Sequence, residues 1–252
     1  MTHLLAASVD LHEVAILLDV DGTLLDLAAT PREVFVPTSL RETLAVLLQK
    51  TDGALALVSG RPLLDLDMIF APLQLPAVGG HGAEIRVLPG GRPDRGHSAP
   101  ISDDVKRRFA TIAAVSPGIL IEDKGYSVAL HYRLAPELED YVLKSVLALS
   151  EELTETFELL PGKAVIEIKH AGFDKGTAVR TLMRRRPFAG RRPVFIGDDT
   201  TDEAAFAVLP EFDGVGISVG RRVPGVALCF DAPPDVRMWL EQISQVEEAP
   251  AA

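Results

Sequence analysis

The sequence predicts an α/β protein: a Rossmann-like doubly wound parallel sheet into which an α+β domain is inserted. Three observations carry that expectation. The apolar runs AILL at 15–18, ALALV at 54–58 and PVFI at 193–196 suit strands buried on both faces of a parallel sheet, the first being too short and too apolar for a surface helix. Amphipathic helical patterns alternate with these runs, the order that winds such a sheet. Between 83 and 171 the pattern changes to strand, helix, strand pair, helix and further strands, which reads as an α+β insert.

Composition narrows the function. At 252 residues with 47% hydrophobic content, the chain forms one large domain or two modest ones with ample core. No apolar run approaches the ~18 residues of a membrane span. The first residues, MTHLLAASVDLHE, carry acids and lack a basic segment followed by a long apolar one, so the expectation is a cytoplasmic protein with no membrane partner. The single cysteine, Cys229, excludes an internal disulfide framework and a cysteine-based zinc cluster, and reads as a buried residue of the VALCF segment. A formal net charge of −11 opposes nucleic-acid binding, and it requires an anionic substrate to be attracted locally. The basic clusters 184–186 and 191–192 follow a predicted helix, whose negative end favours cations. No internal repeat is present, the tail VEEAPAA reads as frayed, and a monomer is the expectation.

In chain order, the first strand stops at Asp19 and Asp21, followed by Gly22 and Thr23. Ligands of parallel sheets sit beyond the carboxyl ends of the strands, so both carboxylates project into a candidate site. Asp-Gly often makes a turn, but a turn does not require Asp-x-Asp-Gly-Thr after four apolar residues. The phrase DVDGTL resembles the first motif of the haloacid-dehalogenase-like phosphatases. In that family the first aspartate attacks phosphorus and the second is acid and base. A carboxylate nucleophile divides one difficult hydrolysis into two displacements, and a second carboxylate protonates the leaving alcohol and then activates water.

Residues 27–37, with Pro31 and Pro37, read as a loop; a helix then opens on a Ser39/Glu42 capping box and places Leu40, Leu44, Leu47 and Leu48 on one face. The second strand runs into Ser59, Gly60 and Arg61, matching the family's second motif. Ser59 can donate its hydroxyl to a phosphate oxygen, and Gly60 lets a backbone N–H approach. Arg61 is left open between a substrate contact and surface charge. After a helix at 62–70, GGHGAE suggests tight backbone packing or a bend, and the first domain is expected to end near Gly82, giving a core of 1–82 and 172–252. In the insert, 83–171, Val105, Phe109 and Ile112 align on one helix, Leu138, Tyr141, Val142, Val146 and Leu149 on the other, and Asp123-Lys124-Gly125 turns a hairpin.

The chain returns to the core through Asp174, Lys175 and Gly176 at a helix start, matching the third motif. Lys175 would neutralise part of the phosphate and hold Asp19 ionised, although a lysine in a first helical turn is by itself ordinary. The third apolar strand ends in Asp198 and Asp199, with Asp202 and Glu203 opening the next helix, which resembles the fourth motif. Asp19, Asp21, Asp198 and Asp202 at adjoining strand ends repel one another unless a cation sits among them. Hard oxygens beside a phosphate specify Mg²⁺. Asp198 is assigned as direct ligand with Asp19 and the carbonyl of Asp21, Asp202 as acting through water, and Asp199 is left open. The strand GVGISVG, the segment ALCF and a last helix at 236–246 carrying a packed Trp239 close the core.

GGHGAE, VALHYR and GKAVIEI before DKG resemble the trehalose-6-phosphate phosphatases. The resemblance implies that the insert is a substrate-selecting cap and that Glu122, Lys124, Arg133, Lys163 and Glu167 contact glucose. Arg133 stands eleven residues after Glu122, and Lys163 and Glu167 stand twelve and eight before Lys175. His81 and Glu84 at the hinge are further candidates, and His131 can equally be a satisfied sheet residue. Carboxylates accept from sugar hydroxyls and cations donate to them, whereas the same charges can form solvated surface pairs. The leading function is Mg²⁺-dependent hydrolysis of trehalose 6-phosphate. The alternatives are a sucrose-phosphate or glucosylglycerate-type phosphatase, or a catalytically idle phosphosugar sensor or synthase partner, which the paired Asp19 and Asp21 oppose.

Overall fold

The central strand of the computed structural model, β1 (Val14–Leu18), is buried at every position. The structure describes residues 10–27, 34–95, 99–153 and 156–246; the expected loop's Pro31 and the tail beyond 246 lie outside them. The chain divides into two units, Met1–Asp94 with Asp174–Ala252, and Arg95–Phe173.

The first unit holds β1, α1 (Thr38–Lys50), β2 (Leu55–Val58), α2 (Leu63–Phe70), β3 (Ala77–Gly79) and β4 (Glu84–Arg86) before the insert. After it come α5 (Lys175–Met183), β9 (Arg192–Gly197), α6 (Glu203–Val208), β10 (Val215–Val219), β11 (Leu228–Phe230) and α7 (Pro233–Ser244). The sheet order is β11-β10-β9-β1-β2-β3-β4. All neighbours pair parallel except β3 and β4. Strand alternation assigns the two faces. Ile16 and Leu18 join a cluster with Leu44 and Leu47 of α1, Leu66 and Phe70 of α2, and Leu240 of α7. Ala15 and Leu17 join one with Val179 and Leu182 of α5 and Phe206 of α6. A strand covered on both faces must be apolar at successive positions, which is why β1 shows no polar alternation.

Three expectations change. Helix α1 begins at Thr38 behind Pro37 and has no side-chain cap, so Ser39 lies inside the first turn and the Ser39/Glu42 box does not form. The strand expected to open the insert, 83–88, is instead β4, the antiparallel edge of the main sheet. Gly80, His81 and Gly82 all take positive φ and reverse the chain there. Arg86 then fastens the edge, giving Asp67 two hydrogen bonds of 2.8 and 2.6 Å and a third, 2.8 Å, to the Leu75 carbonyl. The first crossover therefore falls at Asp94 rather than Gly82. Cys229 is half-buried rather than buried, because β11 is an edge strand.

The second unit comprises α3 (Asp103–Ala113), β5 (Leu120–Asp123), β6 (Ser127–His131), α4 (Glu139–Glu152), β7 (Phe157–Gly162) and β8 (Val165–His170). Its strands form an antiparallel sheet in the order β5-β6-β8-β7. The turn between β5 and β6 falls as expected: Asp123 accepts the Gly125 N–H at 2.8 Å, and Gly125 takes φ +82°. Val128, Leu130, Ile166 and Ile168 pack with Val105, Phe109 and Ile112 of α3 and Val142, Val146 and Leu149 of α4, whereas Tyr141, expected on the same face, is exposed. Residues alternating with these, Ser127, Ala129, His131, Glu167 and Lys169, therefore occupy the other face.

Phe109 is fully buried in this small core. Phe109→Ala is expected to destabilise the insert by about 3–5 kcal/mol, the usual cost of a large cavity. Urea unfolding followed by hydrogen exchange of β6 and β8 amides measures it; unchanged protection would show that the cluster is not what holds the unit.

Candidate active site

Strands β1 and β9 are neighbours at the point where the winding reverses, with β2 and β3 built outward on one flank and β10 and β11 on the other. Such a switch point opens a crevice at the strands' carboxyl ends. Asp19 leaves β1 there, and Asp198 follows β9. Oxygens of Asp19, Asp198 and Asp202 lie within 4.8 Å of one another.

Lys175 reaches this cluster from the first turn of α5. Asp174 caps that helix, accepting the Thr177 N–H at 2.6 Å while Thr177 accepts from the Asp174 N–H at 2.9 Å. With the turn so fixed, Lys175 Nζ lies 2.7 Å from Asp19 Oδ1 and 2.6 Å from Asp202 Oδ1. The other oxygen of Asp202 accepts the N–H groups of Asp198 and Asp199, both at 3.0 Å, so this carboxylate folds the acidic loop as well as holding the lysine. Burial, then the charge on Asp202 and on Asp198, push the Asp19 pKa well above the ordinary carboxylate range despite Lys175. Burial works to lower the Lys175 pKa, but Asp19 and Asp202 prevail and raise it.

Asp21 stands in different company. Arg61, only 7% exposed, donates from Nε to Asp21 Oδ2 at 2.6 Å and from Nη2 to Oδ1 at 2.7 Å. Arg61 is therefore not a surface charge: it holds Asp21 in a bidentate clamp. Gly22 takes φ +85°, and a Cβ there would lie 2.3 Å from Asp198 Oδ2, so the Asp-Gly-Thr turn is what lets the two acidic loops close. Thr23 donates to Asp198 Oδ1 at 3.3 Å.

Ser59 is buried and accepts the Arg61 N–H at 3.1 Å, which leaves its own proton to donate to an anion. A Cβ on Gly60 would meet the His81 ring at 2.5 Å, so His81 is brought against the second motif. Glu84 accepts the N–H of Leu63 at 2.9 Å, which secures the start of α2. Asp199 is exposed and accepts the Thr200 N–H at 2.6 Å as the cap of a short turn, outside the convergent oxygen set. Sequence reasoning missed Arg221, which donates from Nε to the Asp198 carbonyl at 3.0 Å and from Nη2 to Glu203 at 2.8 Å. Its position just past β10, the next strand end in the sheet, was the available signal.

On the insert, Lys124 Nζ lies 2.7 Å from Glu167 and 3.8 Å from Glu122, so these three expected residues form one array. Arg133 and Lys163 also meet, the guanidinium donating to the Lys163 carbonyl at 3.3 Å.

A central strand delivering Asp-x-Asp to a switch point, met there by a strand-end serine, a helix-start lysine and an acidic loop, is the layout of the haloacid-dehalogenase-like phosphatases. Comparison with known proteins narrows the class. A family model described as trehalose-phosphatase matches residues 17–226. The trehalose-6-phosphate phosphatase of Escherichia coli is 38% identical over 90% of this chain and 85% of its own. A probable trehalose-phosphate phosphatase of Sinorhizobium fredii is 44% identical over 87% and 82%. The C-terminal domain of the C. albicans trehalose-6-phosphate phosphatase has the same fold, with a TM-score of 0.84 over 97% of each chain at 20% identity. The chain belongs to the trehalose-phosphatase family.

Two outcomes follow from the geometry. Asp19→Asn is expected to abolish phosphate release while phosphomonoester binding, followed by calorimetry, persists, because the amide is nearly isosteric but a poor nucleophile. Substantial residual turnover would remove Asp19 from the nucleophile's role. Arg61→Lys loses the two-point hold on Asp21 and is expected to lower kcat about tenfold or more on an alkyl phosphate, with a smaller effect on the first, phenolate-releasing burst from nitrophenyl phosphate, whose leaving group needs no proton. A rise in KM alone, equal for both substrates, would make Arg61 a substrate contact instead.

Proposed function

We propose that this protein is an Mg²⁺-dependent phosphomonoesterase that hydrolyses trehalose 6-phosphate to trehalose and phosphate. The observation that carries the chemistry is the state of Asp19: Lys175 occupies Oδ1, leaving Oδ2 as the attacking oxygen, with Asp21 two residues on. Asp19 Oδ2 bonds to phosphorus as the bond to the sugar oxygen breaks, and Asp21 gives that oxygen a proton. Asp21 then takes a proton from water, whose oxygen attacks phosphorus and releases Asp19. The Ser59 hydroxyl and the Lys175 ammonium bind the phosphoryl oxygens and oppose their charge. On the insert, Glu122, Lys124, Arg133, Lys163 and Glu167 supply acceptors and donors for sugar hydroxyls. His81 and Glu84, beside the second motif, are further substrate contacts in this reading.

The donor set fits a hard divalent cation. Three carboxylates converge beside one lysine, which does not balance their charge, and burial with the charges of Asp202 and Asp198 raises the pKa of Asp19. Asp19, Asp198 and the Asp21 carbonyl would hold Mg²⁺, with Asp202 behind them, and the bound ion would supply charge that favours ionised Asp19 and neutralises phosphate oxygens. The finer reading is a cytoplasmic monomer acting without nucleic acid or membrane. Its net charge of −11 opposes a phosphate backbone, and no helix among the described residues is long and apolar enough to cross a bilayer.

Phosphate release across a panel of sugar phosphates, with Mg²⁺ and with EDTA, tests the assignment. Trehalose 6-phosphate is expected to exceed sucrose and glucosylglycerate phosphates by about tenfold or more in kcat/KM. Release should cease in EDTA and return with excess Mg²⁺. A preference for another sugar phosphate would move the assignment to that substrate, and full activity in chelator would overturn the metal.

A further inference from the structure

The helix-free face of the insert places two carboxylates in one ladder row: Glu122 of β5 stands opposite Ala129 of β6, which stands opposite Glu167 of β8. Ala129 contributes only a methyl group, so the acids stand on either side of a gap. Lys124 spans it, 2.7 Å from Glu167 Oε2 and 3.8 Å from Glu122 Oε2. His131 lies on the same face two residues along β6 and brings Nε2 within 2.8 Å of that same Glu122 oxygen. Burial opposes ionisation of Glu122, but the His131 hydrogen bond and the charge on Lys124 hold its carboxyl below the ordinary glutamate range. An ionised carboxylate only accepts, so the proton of the short contact sits on His131 Nε2. Both interactions therefore fall on Oε2. Among the described residues, no protein group donates to Oε1.

We propose that His131 is a positioning residue for substrate selection: by fixing Oε2 of Glu122 it presents Oε1 as a ready acceptor for a hydroxyl of the leaving sugar. The inference rests on the reading of Glu122 as a sugar contact. A glutamate held before binding has already lost the rotamer freedom that a loose one must lose on binding, so the hold appears in substrate affinity rather than in the chemical step. Lys124 alone does not supply it, since its short contact goes to Glu167.

Two amide substitutions of different reach test this. In His131→Gln the side-chain nitrogen extends about as far as Nε2 and can still donate to Glu122, whereas in His131→Asn it stops one bond short. The measured quantity is kcat/KM for trehalose 6-phosphate divided by that for a small aryl phosphate, with thermal unfolding of each variant beside it. His131→Asn is expected to lower the ratio about tenfold, mainly through KM, and His131→Gln to restore most of it. Glu122→Ala should lower the ratio too, and adding His131→Asn to it should cost nothing more. Equal ratios for the Asn and Gln variants, equal losses on both substrates, or additive losses in the double variant would overturn the role of His131. If Glu122→Ala leaves the ratio unchanged, the sugar-contact reading of Glu122 fails first, and the inference with it.

Discussion

The buried ammonium of Lys175 between Asp19 and Asp202 is the contact on which the catalytic unit depends. It ties the end of β1, the loop after β9 and the start of α5, segments from both ends of the chain, at 2.7 and 2.6 Å. All three side chains are nearly excluded from solvent. Desolvating such a group is expensive, and removing one partner leaves an uncompensated buried charge that typically costs about 3–5 kcal/mol. The interaction persists because each participant has other duties. Asp202 holds its own loop through two N–H groups, and Lys175 is set in place by the Asp174–Thr177 cap. The bonds that fold the acidic loop are therefore shared with the proposed catalytic group.

Around that contact, two aspartates separated by one residue acquire different properties. Asp19 is buried, paired with an ammonium through one oxygen and crowded by two further acids. Asp21 is part-exposed and has both oxygens on a guanidinium. The proposed chemistry, with one nucleophilic and one proton-transferring carboxylate, requires their environments to differ, and the difference comes from neighbouring strands, β9 for one and the end of β2 for the other. Gly22 permits the arrangement by letting Asp198 approach where a side chain would stand.

In the insert, strand alternation does the sorting. One face of the antiparallel sheet spends its apolar residues on α3 and α4, and the other carries a polar array in which Lys124 reaches both Glu167 and Glu122 and His131 reaches Glu122 alone. The register pins this array: a slip of one residue would move Glu167 into the apolar core.

The sequence by itself determined the doubly wound core, the inserted α+β segment, the four motifs in order and hence the family. These rest on local patterns: uniformly apolar strands, 3.6-residue periodicity, and short phrases at strand ends. It also placed the Asp123–Gly125 turn and the packing role of Trp239, which lies in the core beside Phe230. Tertiary structure decided the remainder. Strand β4 joined the main sheet because three successive positive-φ residues reverse the chain and Arg86 then meets Asp67, nineteen residues away. Ser39 failed as a cap because the cap position of α1 falls two residues earlier, at Pro37, a boundary that local propensity resolves poorly. Arg61 was drawn to Asp21 and Arg221 to the Asp198 carbonyl by partners forty and twenty-three residues distant. A motif announces that a carboxylate is present, but which cation or N–H reaches it depends on which strands the fold sets side by side.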